Sequence, residues 1–323
     1  MRALLAVSSM FILFGSGIAS AAGSVLPGPV VTVAQLKPLV EQKRVTVLDT
    51  RELLQTDQKT PNYAAGHIPG ALPFPYSNLR GPKEAPGAVL PIAQLEKLVN
   101  ELGLKRTTPV VLAGSGADPT EFGGPARIYW TLKAAGFKEI AILNGGLGAW
   151  MAAKLPLERD RPKVSPSQEK LQYQAEMVLS TAKARELHAA STKSVFVDAR
   201  PEDFHLGQMR HAAAARWGTI PDSKWLDSEE WFVANTGRLL EKDQLLAVAK
   251  REGVLGKPTV SFCNAGHWAA TSWFVLSEVL GQPNAQMYAD SVVGWSQAGL
   301  PMQNEPSRAT ALIWQAKGTG IQK

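Results

Sequence analysis

Short apolar runs alternate with longer amphipathic stretches along most of the chain. Three of these runs, Val45–Leu48, Val110–Leu112 and Thr259–Phe262, have the length and the β-branched content of buried strands. Between the first two, Leu95–Leu102 repeats its apolar residues at helical spacing and ends before a glycine. Strands that alternate with helices predict βαβ units around a parallel sheet, so the sequence predicts an α/β fold.

This pattern occurs twice. The stretch Val45–Arg51 contains an Asp-x-Arg motif that returns 149 residues later in Ser194–Arg200. An amphipathic stretch that ends in Gly103 is matched by one that ends in Gly253. Landmarks that recur at a nearly constant shift predict that one domain has been duplicated.

The duplication sets the expected domain boundaries. We predict a first α/β domain over residues 27–155 and a second over residues 175–305. Residues 156–174 are rich in charge and proline and break both periodicities, which is typical of a linker. Residues 306–323 are expected to form a polar tail.

The first residues have the composition of an export signal. Arg2 precedes the apolar run Leu4–Ile18, and small residues follow at Ala19–Ala21. The run is shorter than the roughly 20 residues that span a bilayer. We therefore predict a signal peptide over residues 1–21 and a periplasmic mature protein without stable membrane insertion, with a retained N-terminal anchor as the alternative.

Composition and charge exclude several classes of protein. The chain has 323 residues, of which 45% are hydrophobic and 19% charged, which argues against disorder. The net charge of +6 is spread without basic runs, so a nucleic-acid surface is not expected. One cysteine excludes a disulfide framework, and the five histidines do not lie near it at zinc-ligand spacing, so no metal site is expected.

The single cysteine, Cys263, directly follows the predicted strand Thr259–Phe262, and a helical pattern begins near Ala270. Backbone N–H groups of such a loop and the helix dipole favour the thiolate over the thiol, and Gly266 lets the loop turn tightly. Because most exported cysteines pair, a lone one is either an inert buried thiol or has a task. Its position favours a task. In the first half the equivalent residue is taken to be Ala113, so that half has no nucleophile.

Several motifs together resemble the tandem-domain rhodaneses, which are thiosulfate and 3-mercaptopyruvate sulfurtransferases. The matching segments are Asp49–Arg51, Gly66–Ala71 and Asn144–Trp150 in the first half, and Asp198–Arg200, Cys263–Gly266 and Tyr288–Ser291, followed by Trp295, in the second. The resemblance implies two tandem rhodanese-like domains, each a mainly parallel β-sheet flanked by helices, with the first inactive and the second catalytic.

The resemblance also implies a reaction and a site. Cys263 matches the family's nucleophile, which accepts a sulfane sulfur as a persulfide, and Arg200 matches an arginine that helps bind the anionic donor. The remaining expected substrate-binding residues are Asn264, Ala265, Gly266, His267, Trp268 and Ala269. The implied donor is a small anion, thiosulfate, and the acceptor is cyanide or a thiol. No cofactor is implied.

The loop departs from the family pattern at two points. Asn264 stands where the family has Arg or Gly, and His267-Trp268 replace a small Val-Thr pair, so the usual loop cation is absent. 3-Mercaptopyruvate therefore stays open as the alternative donor, although periplasmic placement favours thiosulfate. His267 is either a group that binds the anion or titrates near neutrality, or a packed histidine at the loop rim. Trp268 either covers the pocket or belongs to the core.

Two basic and aromatic segments have open interpretations. Residues 200–216 contain three arginines and two histidines that form either a funnel for an anion or a solvated face. Trp217, Trp225 and Trp231 predict core packing or a loop at the domain interface.

Other classes of cysteine protein fit less well. A cysteine phosphatase needs an arginine six residues after the nucleophile, where this chain has Ala269. A carrier that relays sulfur to a partner without turnover, and a scaffold with an unused cysteine, remain alternatives. With no second thiol in the chain, a persulfide on Cys263 must pass its sulfur to an external acceptor.

Overall fold

The computed structural model describes residues 23–55, 57–190, 194–317 and 319–322. The predicted signal peptide over residues 1–21 lies outside this part of the chain. Within it, none of the helices combines the length and apolar character needed to cross a membrane.

The first domain is built on a five-stranded parallel sheet in the order β1-β5-β4-β2-β3. Its strands are β1 (Val30–Val31), β2 (Thr46–Asp49), β3 (Leu72–Pro73), β4 (Val110–Ala113) and β5 (Ile140–Leu143). Its helices are α1 (Val33–Glu41), α2 (Ile92–Glu101), α3 (Gly123–Ala134) and α4 (Gly146–Ala152), with 3₁₀ turns at Tyr76–Leu79 and Thr120–Phe122.

The second domain repeats this plan with a four-stranded parallel sheet in the order β10-β9-β6-β8 and a two-stranded sheet of β7 and β11. Its strands are β6 (Val195–Asp198), β7 (Arg210–His211), β8 (Lys224–Trp225), β9 (Thr259–Phe262), β10 (Ala285–Met287) and β11 (Ile321–Gln322). Its helices are α5 (Thr181–Ala189), α6 (Glu202–His205), α7 (Lys242–Arg251), α8 (Trp268–Trp273), α9 (Ser291–Gln297) and α10 (Arg308–Lys317). A π-helical segment, Phe274–Val279, continues α8, and Ser228–Trp231 forms a 3₁₀ turn. The α/β prediction with two parallel-sheet units is confirmed.

Strand register corrects one detail of the repeat. The last residue of β2 pairs with Ala113, and the last residue of β6 pairs with Phe262. Ala113 is therefore equivalent to Phe262, and the residue equivalent to Cys263 is Gly114. The prediction that named Ala113 was wrong by one position, because sequence landmarks alone do not fix strand register. Glycine supplies no nucleophile either.

The two domains share one hydrophobic core. Helix α3 of the first domain packs against α8 of the second, and residues of both belong to a single buried cluster. The ring of Phe274 lies 4.9 Å from that of Tyr129 and 5.8 Å from that of Phe122, centroid to centroid. Helix α3 is buried on nearly every side. The first domain therefore contributes directly to the surroundings of α8.

The linker and the tail both pack on the domains. Residues 156–174 run along the first domain, where Ser167 Oγ donates to the Asn100 side chain at 2.8 Å. The tail, expected to be a polar extension, contains α10 and β11. Strand β11 pairs with β7, and Trp314 of α10 packs against Trp217 with ring centroids 5.3 Å apart. The chain end thus returns to the second domain.

Candidate active site between the two domains

Cys263 lies at the carboxyl end of β9, which is flanked by β6 and β10, and it has no exposed surface. Its N–H donates to Ser291 Oγ at 3.0 Å, and that oxygen lies 4.0 Å from the sulfur. The Ser291 hydroxyl donates to the Tyr288 carbonyl oxygen at 2.8 Å. The carboxyl ends of parallel strands are a favoured place for active sites, and here they bring β9 and the start of α9 together.

The loop after Cys263 presents unpaired backbone donors. In the described part of the chain, the N–H groups of Asn264, Ala265, Gly266 and His267 donate to no protein acceptor. Gly266 has a φ of +72°, a conformation in which a side chain is strained. Successive N–H groups around a left-handed residue make a concave site that favours an anion, so this loop is suited to a thiolate or a persulfide.

The equivalent loop of the first domain follows β4, and its backbone N–H groups are paired. Ser115 N–H and Gly116 N–H both donate to the Glu121 carboxylate, at 2.7 and 3.2 Å. Burial raises the pKa of Glu121, and these two hydrogen bonds oppose that shift. The first domain therefore satisfies its loop with its own carboxylate, directly beside Gly114, where a nucleophile would stand.

A buried arginine of the first domain holds the Cys263 loop from behind. Arg127, on α3, is 2% exposed and donates to the carbonyl oxygens of Gly266 at 3.3 Å and Gly87 at 3.0 Å. Burial lowers the pKa of Arg127, and electrostatic interactions with the Tyr76 and Cys263 side chains oppose that shift. Arg127 thus links the Cys263 loop to the first domain.

A cavity of about 290 Å³ reaches Cys263 from the domain interface. Its lining residues are Tyr76, Arg80 and Thr120 of the first domain, and His211, Cys263, Asn264, Ala265, His267, Trp268 and Gln322 of the second. A larger cleft of about 760 Å³ lies on the first-domain side and shares Tyr76 and His267 with this cavity. Both domains and the C-terminal strand therefore build the site.

His267 is anchored to the first domain. Its Nε2–H donates to the Thr120 carbonyl oxygen at 2.7 Å, and its ring lies 5.1 Å from that of Tyr76, centroid to centroid. The pKa of His267 is lowered to about 4, mainly by burial and further by the charges of Arg80 and Arg127, while the hydrogen bond to Thr120 opposes the shift. The ring is therefore neutral at pH 7, and the interpretation of His267 as a group that titrates near neutrality is corrected.

Trp268 lies beside His267 at the rim of the cavity. Its Nε1–H faces Thr120 Oγ1 at 3.4 Å, and its ring meets that of Phe204 edge-on at 6.0 Å. Asn264 and Ala265 also line the cavity, whereas Gly266 does not line it and Ala269 is buried in α8. The structure thus brings together most of the predicted loop residues.

Arg200 does not line this cavity. It is 1% exposed, forms a bidentate ion pair with Asp198 at 2.7 and 2.8 Å, and donates to Asn264 Oδ1 at 3.2 Å. Burial by itself raises the pKa of Asp198, but the charge of Arg200 and hydrogen bonds from Arg200, His205 and Thr219 outweigh it and hold the pKa below its ordinary value. In this structure Arg200 therefore orients the loop through Asn264.

The other basic residues of the 200–216 segment have separate environments. His211 lines the cavity, and burial lowers its pKa. Arg210 donates to the Ala214 carbonyl oxygen, and Arg216 forms an ion pair with Glu305 at 2.9 Å. These side chains are held by different partners and do not converge as a funnel.

Of the tryptophans in the 217–231 segment, Trp231 belongs to the core. It is fully buried, and its Nε1–H donates to Ser272 Oγ at 3.1 Å. Trp225 is 37% exposed and donates to the Arg200 carbonyl oxygen at 2.9 Å.

Sequence reasoning missed the residues that come from outside the loop. Arg80, Tyr76 and Thr120 belong to the half without a nucleophile, and Gln322 is next to last in the chain. Arg127 did carry a signal, since it is a lone charge in the apolar part of α3 and such charges are buried only with partners. Among the described residues, no group of three or more His, Cys, Asp or Glu side chains could hold a metal ion.

Comparisons with known proteins agree with the repeated α/β plan. Residues 32–153 match the rhodanese-like domain family. The thiosulfate sulfurtransferase of Azotobacter vinelandii is 29% identical over 253 residues, which cover 77% of this chain and 89% of that protein. The sulfur carrier protein TtuD of Thermus thermophilus is 26% identical over 264 residues, covering 77% and 90%. The crystal structure of SseA from Escherichia coli, described as a 3-mercaptopyruvate sulfotransferase, superposes with a TM-score of 0.69 at 24% identity, covering 82% of this chain and 98% of SseA.

Proposed function

We propose that this chain, whose residues 32–153 match the rhodanese-like domain family and which is similar to thiosulfate sulfurtransferases, moves a sulfane sulfur from thiosulfate to cyanide or a thiol through a persulfide on Cys263. The observation that carries the proposal is the position of Cys263 at the end of β9, followed by four loop N–H groups that have no acceptor among the described residues. These donors suit an anionic sulfur in both the thiolate and the persulfide state.

The reaction is a double displacement. The Cys263 thiolate attacks the outer sulfur of thiosulfate, the sulfur–sulfur bond breaks, and sulfite leaves with the electron pair. The acceptor then attacks the outer sulfur of the persulfide, and the Cys263 thiolate is the leaving group. Neither step needs a general base in the protein once the thiolate is formed, which fits a neutral His267.

Mass spectrometry of the intact protein tests the first step. After incubation with thiosulfate and removal of excess reagent, the wild-type chain should gain the mass of one sulfur atom and lose it on addition of cyanide. Cys263→Ser is the matched control and should gain nothing. Lack of any adduct with thiosulfate, mercaptopyruvate or an inorganic polysulfide would contradict the proposal. Initial rates should follow ping-pong kinetics, and a sequential pattern would contradict the double displacement.

The donor is the finer part of the proposal. Thiosulfate is favoured by the expected periplasmic location and by relatives named for that activity, among them the Azotobacter vinelandii enzyme. 3-Mercaptopyruvate is the alternative, since the loop lacks the usual cation and the fold is shared with SseA. The ratio of kcat/KM for the two donors, measured with the same acceptor, decides between them.

A sulfur carrier is the second candidate function. It is favoured by the complete burial of Cys263 and by the similarity to a protein named as a sulfur carrier. A carrier would form the persulfide but release its sulfur to a protein partner and only slowly to small thiols. The rate at which the persulfide releases its sulfur to cyanide or dithiothreitol in a single turnover distinguishes an enzyme from a carrier. In an enzyme this release must be at least as fast as steady-state turnover.

We also propose that the protein is exported and that its mature form begins near Ala22, after cleavage of residues 1–21. N-terminal sequencing of the native protein tests this directly. An intact Met1 on the protein isolated from membranes would instead support the retained anchor.

A further inference from the structure

We propose that Arg80 of the first domain binds the oxyanion end of the sulfur donor, in place of the cation that the Cys263 loop lacks. The proposal rests on the proposed function for the identity of the donor. Its geometry does not, since it concerns any small anion that reaches Cys263 through the cavity.

Arg80 follows the 3₁₀ turn Tyr76–Leu79 and is held by the first residue of that turn. Its Nη1–H donates to Tyr76 Oη at 3.2 Å, and its guanidinium carbon lies 5.6 Å from the centroid of the Tyr76 ring. It has no carboxylate partner among the described residues and stays partly exposed. A guanidinium that is oriented by an aromatic ring and a hydroxyl keeps its full charge for a ligand.

The rest of the cavity favours a negative ligand. Within the described residues, no carboxylate lines it, and Arg80 is the one side chain there with a permanent positive charge. Burial is the main reason that the pKa values of His211 and His267 are low, and the charge of Arg80 lowers both further. Arg80 and both histidines line the same cavity.

The size and chemistry of the cavity define the ligand class. A volume of about 290 Å³ accommodates a small molecule and no polymer. A guanidinium recognises a sulfonate or a carboxylate by the same charge-assisted hydrogen bonds. The donor would rest its oxyanion on Arg80 and present its transferable sulfur to Cys263, so that the first domain completes the site of the second.

Alkylation of Cys263, the single thiol of the chain, measures this without any sulfur transfer. Iodoacetate carries a carboxylate and iodoacetamide is its neutral counterpart, so the ratio of their rate constants reports the charge of the cavity, while the neutral reagent alone reports access and thiol reactivity. In Arg80→Gln this ratio should fall about tenfold at low ionic strength, as for loss of a hydrogen bond between charged groups.

Two further variants keep the result interpretable. Arg80→Lys preserves the charge and should keep most of the ratio. Lys83→Ala removes an exposed charge three residues away that does not line the cavity, and it should leave the ratio unchanged. An unchanged ratio in Arg80→Gln, or an equal slowing with both reagents, would overturn the proposal, because Arg80 would then affect access or folding and not the anion.

Steady-state kinetics then identify the oxyanion. The KM of thiosulfate should rise in Arg80→Gln if the sulfonate rests on Arg80, and the KM of mercaptopyruvate should rise if a carboxylate does. A fall in the alkylation ratio without sulfur transfer from any donor would leave the anion site in place and contradict the proposed function. Sulfur transfer with an unchanged alkylation ratio would support the proposed function and contradict the anion site at Arg80.

Discussion

Arg127 of the first domain donates a hydrogen bond, at 3.3 Å, to the carbonyl oxygen of Gly266 in the loop of the second. The guanidinium is buried, and its other bond goes to the Gly87 carbonyl oxygen on its own domain. A charge from the first domain thus supports the loop that carries Cys263. Both domains therefore contribute to the environment of this cysteine.

Replacing Arg127 should weaken both the loop and the interface. In Arg127→Met the carbonyl oxygens of Gly87 and Gly266 lose their donors, and each unsatisfied buried group costs about 1–3 kcal/mol. Removing a buried charge offsets part of this cost, so we expect a net loss of about 2 kcal/mol in the free energy of unfolding. Sulfur loading of Cys263 should slow about tenfold, because the loop loses its support and a nearby positive charge.

Arg106→Met is the matched control for Arg127→Met. Arg106 is about half exposed and pairs with Glu169 at 2.8 Å, and surface pairs of this kind contribute at most about 1 kcal/mol. Urea unfolding compares the free energies of unfolding of the two variants, and quenched time courses with thiosulfate compare their rates of sulfur loading. Equal effects of both would show that Arg127 has no special role at the loop.

Gly266→Ala should damage the loop more than a glycine substitution of the same conformation elsewhere. A Cβ at Gly266 would collide with the Arg127 guanidinium and lie 2.8 Å from the Ala289 carbonyl oxygen. Gly253 has a similar φ, +64° against +72°, but open space around it, so Gly253→Ala carries the conformational cost alone, about 1–2 kcal/mol. We expect the rate of persulfide formation to fall more than tenfold in Gly266→Ala and to be retained in Gly253→Ala. Retention of loading in both would contradict the tight fit at Gly266.

His267 should make the protein less stable in mild acid. Its pKa is about 4 in the folded state against 6.5 ordinarily, so between these values the unfolded state takes up a proton that the folded state does not. Stability therefore falls as pH drops from about 6.5 to 4, by about 3 kcal/mol from this group, and the contribution is constant above and below that window. His267→Gln should remove this slope.

Unfolding of the wild type and His267→Gln in urea at pH 7.5 and pH 5 measures the effect. The wild type should lose more unfolding free energy than the variant when the pH is lowered from 7.5 to 5. The pH profile of sulfur transfer between 6 and 8 should also keep its shape in the variant, since a neutral His267 has no proton to exchange in that range. A difference that is the same at both pH values would contradict the lowered pKa.

The C-terminal strand should limit access to the thiol. Gln322 lines the cavity, and its Oε1 lies 3.4 Å from Asn264 Nδ2. Since Cys263 has no exposed surface, a chain that ends at Lys317 should react with iodoacetamide several times faster than the full chain. Leu312→Ser changes an exposed residue of α10 and is the control, with an unchanged rate expected. Equal rates for the shortened and full chains would show that access runs elsewhere.

The first-domain loop should stay inactive even with a thiol supplied. Gly114→Cys, made together with Cys263→Ser, places sulfur at the equivalent position, but a Cβ there meets the Glu121 carboxylate oxygens at 2.9 Å. That carboxylate already binds the N–H groups of Ser115 and Gly116 and would repel a thiolate. We expect no sulfur gain by mass spectrometry, and partial loading when Glu121→Ala is added. Full loading without the change at Glu121 would contradict this account.

The amino-acid sequence predicted the fold and located the candidate nucleophile at the end of a strand. Strands such as Thr259–Phe262 are short and contain β-branched and aromatic residues, and a cysteine at the end of one is a local signal that needs no tertiary information. Motifs within one loop identified Asn264, Ala265, His267 and Trp268, which do line the cavity.

The sequence by itself therefore determined the duplicated α/β plan and the place of the single cysteine at the end of a strand, because both depend on local pattern. Tertiary structure decided the rest. Register placed Gly114, and not Ala113, opposite Cys263, and packing of α3 on α8 brought Arg80 and Arg127 to the loop of the other domain. It also buried Arg200 and lowered the pKa of His267. Burial and contacts between residues far apart in the chain depend on how elements pack, and no periodicity along the sequence encodes them.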